Sequence, residues 1–165
     1  MKQFLLCTFL LCAALQWAPV WANAPSECVY ESSGVDVDAF KQSELVTGFE
    51  QLEKNSRYSG NLKGIGGFQL QLFGCVHYGA KLTVLLGPSD DVCSLEIALG
   101  VLPKLLFPAE DAKRVVHALR EIPAQTLTTH QHLQHLAEEL NLTDIHIRLF
   151  DVDGVSVLVF GFYGG

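Results

Sequence analysis

The densest run of titratable side chains is His130-Gln131-His132-Leu133-Gln134-His135, followed by Glu138-Glu139. On a helix, residues at i, i+3 and i+7 fall together. His132, His135 and Glu139 would then form one ridge within an arc of roughly 60°, at about 100° per residue. Two imidazoles and a carboxylate suit zinc chemically. The order is not that of the zinc peptidases, because Leu133 stands where their general base would be. A solvated helix face with neighbouring imidazoles is the expected reading, and a metal site or a pH-responsive contact the lesser ones.

The remaining reactive residues give weaker patterns. Cys75 and His77 share one face of a strand, roughly 7 Å apart as i, i+2 neighbours. Thiolate catalysis needs the imidazole within hydrogen-bond reach of the sulfur and a third group to orient it. The expected partner of Cys75 is instead Cys93, which closes a modest loop; Cys28 paired with either is the alternative. A Cys75/His77/Cys93 zinc site is the remaining reading, against which an oxidising compartment favours the bridge. Asp151-x-Asp153-Gly154 resembles the start of a calcium loop, but the later oxygen ligands and the closing Glu are absent, so it reads as a turn. Ser89-Asp90-Asp91 is explained by helix capping. Gly64-x-Gly66-Gly67 lacks the spacing of a nucleotide-binding loop. Asn141-Leu142-Thr143 fits the glycosylation triplet, yet it more plainly ends a helix and enters a strand. No catalytic constellation and no cofactor is expected.

The first 22 residues place this chemistry. Lys2 supplies a charged start, Phe4 to Leu15 is apolar apart from Thr8, and Val20-Trp21-Ala22 provides small residues for a cut. Gln16 and Pro19 interrupt the apolar run well short of the roughly 20 residues of a membrane span. Residues 1–22 are therefore read as a cleaved secretory signal, and 23–165 as one exported domain, secreted or periplasmic. Leu11 before Cys12 and Glu27 before Cys28 argue against a lipid anchor. The formal charge is −7, and removing Lys2 with the leader makes it −8. Scattered Lys and Arg on an acidic surface argue against nucleic acid and anionic membranes.

The elements follow from periodicity. Residues 23–37 read as irregular, and Asp38 begins a helix carrying Leu45, Phe49 and Leu52. Residues 59–67 read as a flexible connector. A hairpin spans about 68–86, turning at Gly79-Ala80. Helices follow over 91–102, ended by Pro103; over 109–122, with Pro108 at its start; and from Thr128 or Thr129 to Leu140. A second hairpin spans about 145–163 around Asp153-Gly154. Val155 to Tyr163 is apolar on both faces and belongs in the middle of a sheet. The order α-ββ-ααα-ββ makes an α+β fold, an antiparallel sheet with helices on one side.

That architecture leaves a second face. Gln69, Gln71 and His77 from the first hairpin, with His146 and Arg148 from the second, lie opposite their strands' apolar sides. They read as an open polar face for recognising a protein partner, or as the ordinary wet side of an antiparallel sheet. The expected function is a small non-enzymatic binding module of the inhibitor or immunity type. The alternatives are a metal-dependent hydrolase on the His132/His135/Glu139 ridge, a carrier of a small apolar ligand, and a structural envelope protein.

Overall fold

The computed structural model describes residues 34–165, apart from 55, 75–76 and 89–91. The expected signal over 1–22 and most of the irregular segment lie outside the described residues. The elements are α1 Val37–Gln42, β1 Val46–Glu53, β2 Arg57–Leu62, β3 Gly66–Phe73, β4 Tyr78–Pro88, α2 Val92–Leu106, α3 Ala109–Arg120, a 3-10 turn Ala124–Thr128, β5 Gln131–His132, α4 Gln134–Glu139, β6 Asp144–Val152 and β7 Val155–Gly164.

Alternating side chains on β3, β4, β6 and β7 build the centre of a seven-stranded antiparallel sheet, ordered β1-β2-β3-β4-β7-β6-β5. Its register places Leu70 opposite Leu82, Leu82 opposite Phe160, and Phe160 opposite Ile147. All four are fully buried. The helices cover this face with Phe40 of α1, Ala98 and Leu102 of α2, Val115 and Leu119 of α3, and Ala137 of α4. Phe107 caps it, its ring 6.2 Å from that of Phe160 and 4.8 Å from that of Phe162. Each buried large side chain here contributes about 1.5–3 kcal/mol.

The fold class, the antiparallel sheet, the helices on one side and the inner place of the last strand all match expectation. The sheet is nevertheless wider by three strands. The helix expected from Asp38 through Leu52 ends at Gln42, capped by Asp36, whose Oδ1 accepts from the Ala39 N–H at 2.9 Å. Leu45, Phe49 and Leu52 instead fall at or on β1, where Gly48 holds a positive φ of 60° that a helix cannot use. Phe49 stacks on Tyr58 at 5.2 Å, a cross-strand packing that outweighs its helical spacing. The connector expected over 59–67 is instead the end of β2, a turn over 63–65 and the start of β3, with pairing to β1 and between β2 and β3 that its glycines alone do not suggest.

Two boundaries also move. Gly79-Ala80 lies inside β4, which begins at Tyr78, so it is not the turn between β3 and β4. Gly79 is needed there because a side chain would run into Phe162 O and the Tyr163 ring. Helix α2 continues through Pro103 to Leu106, with Phe107 N–H on Pro103 O at 2.9 Å. At the second hairpin Asp153 and Gly154 take the two positive φ angles of a tight turn, and Asp151 Oδ1 accepts from Gly154 N–H at 3.0 Å. Turn chemistry thus occupies the residues that began a calcium-like motif.

Candidate functional site: the open sheet face and its imidazole cluster

The face away from the helices is organised in rows that cross the strands. Arg57, Gln71, Lys81, Gly161, His146 and His132 stand opposite one another in succession from β2 to β5. Ser59, Gln69, Thr83, Val159 and Arg148 form the next row. A third runs through Phe73, Gly79, Tyr163 and Asp144. Four of the five expected residues, Gln69, Gln71, His146 and Arg148, therefore share one face. His77 does not join the rows; it is exposed in the β3–β4 connection.

At the β5–β6 end the face becomes a built cluster. His132 and His146 are directly opposite across the strands, and Asp144 lies two residues before His146 on the same side. Asp144 Oδ1 is 2.8 Å from His132 Nδ1, and its Oδ2 is 2.9 Å from His146 Nδ1. An ionised carboxylate only accepts, so each imidazole donates its Nδ1–H to Asp144. His130 stacks on His132 at 4.6 Å and meets His146 edge-on at 5.0 Å, while Tyr163 stacks under His146 at 5.5 Å. His146 is buried although it belongs to the open face. Its ring lies over Gly161, where an added Cβ would come within 2.7 Å of the imidazole. The missing side chain is the seat of the ring.

The electrostatics follow from that burial. Desolvation lowers the His146 pKa and outweighs the Asp144 carboxylate, which acts to raise it. For Asp144 desolvation acts to raise the pKa, but the hydrogen bonds and charges of His132 and His146 prevail and lower it. The resting state is an ionised Asp144 holding a neutral His146.

The expected ridge is not one. Helix α4 begins at Gln134, so His132 stands on β5 while His135 and Glu139 stand on the helix. Pairing of His132 with His146, reinforced by Asp144, holds this segment in the sheet against its helical spacing. The three residues do meet at a groove of about 680 Å3 between α3 and α4, floored by Ala118, Leu133 and Leu136. There Glu139 bridges Arg114 and His135, each at 3.4 Å, all three well exposed. Among the described residues no three His, Cys, Asp or Glu side chains converge as a metal requires. Cys93 is an exposed free thiol on α2, whereas Cys28 and Cys75 lie outside the described residues.

Asp144, Lys81, Tyr163 and His130 were missed as site residues. Alternation along 144–150 would have found Asp144, since it shares the parity of His146 and Arg148. Lys81 required the correct turn position, because the expected turn at Gly79-Ala80 cut its strand short. No described helix is long and apolar enough to cross a membrane. No family model matches the chain, and neither does any curated protein or solved structure.

Proposed function

We propose that this chain is an exported, non-catalytic protein-binding module of the inhibitor or immunity type, which takes its partner on the open face of its sheet. One observation carries the reading. Every described helix packs on the same side of the seven-stranded sheet, leaving the other side uncovered by any described element. Arg148, Tyr163, Phe73 and Phe150 are spread over it, residue types enriched at protein interfaces. Arg148 already rests on Phe150, its guanidinium carbon 5.5 Å from the ring centre. Backbone pairing on both sides fixes the inner strands, so a partner meets a surface that needs little ordering.

Export to a secreted or periplasmic setting belongs to the same proposal. A pulldown from the native compartment should return one stoichiometric partner. Arg148→Glu should weaken that association, and Glu138→Lys, on the helical side, should leave it intact. Equal effects of the two substitutions would remove the sheet face as the site.

A further inference from the structure

From the charges on this face we infer that the partner is a protein presenting an acidic, carboxylate-rich patch. The inference rests on the reading above and goes beyond it by fixing the partner's chemistry. Lys81 stands at the middle of the sheet on β4, and Arg148 stands on β6. Neither makes an ion pair among the described residues. The carboxylate on the four central strands of this face, Asp144, already accepts from two imidazoles. Arg57, further out in the same row, is held by Glu53 at 3.0 Å. Glu50 ends the Arg148 row at the far edge of the sheet on β1, so no described carboxylate pairs with Lys81 or Arg148.

Covering the face removes water from both cations. An ammonium and a guanidinium donate and cannot accept, and a buried charge without a counter-charge is strongly destabilising. A partner that docks here must supply acceptors to both, and carboxylates supply them with opposite charge. Gln69 and Gln71 add further amide donors on β3, on the other side of Lys81 from Arg148. Glu50 and Glu53 stand at the β1 edge of this face and Asp144 stands beside the imidazoles, but a larger acidic group lies off it. Glu96, Glu110, Asp111, Glu121, Glu138 and Glu139 are on or beside the helices. That separation steers an acidic partner toward the sheet and away from the helices.

The test uses the full chain, isotope-labelled for amide NMR, titrated with poly-L-glutamate and in parallel with poly-L-lysine and a single-stranded oligonucleotide. Poly-L-glutamate should shift the amides of Lys81, Arg148 and Val159, with affinity that weakens as salt is added. The Lys81→Glu/Arg148→Glu double variant should lose at least about tenfold in affinity, and Lys81→Gln/Arg148→Gln should lose less. An unchanged amide spectrum on the helical side confirms that each variant is folded. Poly-L-lysine shifting these amides while poly-L-glutamate does not would overturn the acidic partner and leave the docking face standing. Tighter binding of the oligonucleotide at the same residues would replace the protein partner with a nucleic acid. Shifts confined to α3 and α4 with every probe would remove the sheet face itself.

Discussion

Phe160 and Gly161 are neighbours on β7 that face opposite ways, and they show two different uses of one strand. Phe160 fills the helix-covered side, packed between Leu82 and Ile147, with Phe107 at its edge. Gly161 contributes nothing to the other side except room, and His146 occupies that room. One face is stable because its atoms are present; the other keeps its arrangement because an atom is missing. The largest effect should come from the first. Phe160→Ala should cost about 3–5 kcal/mol in denaturant unfolding, through lost burial and an unfilled cavity. A loss below about 1 kcal/mol would mean the helices do not close over the sheet as described.

Gly161→Val should cost less, about 1–3 kcal/mol, because overpacking shifts neighbours without opening a void. The signature distinguishes it from the core variant. The His146 and Tyr163 resonances should move while those of Phe107 and Phe162 stay. Removing the acceptor comes next. Asp144→Ala should cost about 1–2 kcal/mol, the penalty of a buried imidazole N–H left without a partner. His135→Ala removes an imidazole that is 89% exposed, beside the groove. It should change stability by less than about 0.5 kcal/mol. If the two alanine variants were equally tolerated, the cluster around Asp144 would be no more built than the groove.

The same contrast explains what was legible beforehand. The core face could be read because alternation over 68–72 and 145–150 pairs with Leu and Ile repeated at period two, and the Asp153-Gly154 turn fixes the register between strands. Strands β1 and β2 could not be read. Phe49 and Leu52 have helical spacing, and only contact with Tyr58 and Phe68, distant in sequence, makes that stretch extended. The site was half legible. Gln69, Gln71, His146 and Arg148 were found by parity alone. The meaning of His132 was not, because its partner lies across a strand pair that does not exist in the sequence pattern. Its neighbours His135 and Glu139 drew it into a helix. Gly161 gave no signal as a seat, since a glycine in a strand does not say which ring it accommodates.

Acidification sharpens the comparison further. The unfolded chain protonates His146 near the ordinary value of about 6.5, whereas burial in the folded chain lowers that pKa. Below about pH 6.5 the unfolded state therefore binds a proton that the folded state refuses, and stability falls as pH falls. Asp144, also lowered, adds a second decline below its ordinary value of about 3.9. Both signs agree, so stability is greatest above pH 6.5 for this cluster. Urea midpoints measured from pH 7 down should show the first decline in the wild type and in His135→Ala, and a smaller one in His146→Gln. An undiminished slope in His146→Gln would assign the acid sensitivity to other groups.

The smallest effect on stability should accompany the largest effect on binding. Arg148 is exposed, rests on Phe150 and has no ion partner among the described residues, so the fold gains little from its charge. Arg148→Glu should move the unfolding free energy by less than about 0.5 kcal/mol. At the proposed interface the same substitution would set a carboxylate against an acidic partner, and like charges brought together cost several kcal/mol. Parallel measurements of unfolding and of partner affinity on this one variant therefore separate the two uses of the sheet. A substitution that lowers both together would show that the open face holds the molecule together as the core face does. One that lowers affinity alone would show a surface kept free of the chain's own counter-charges for a partner to supply.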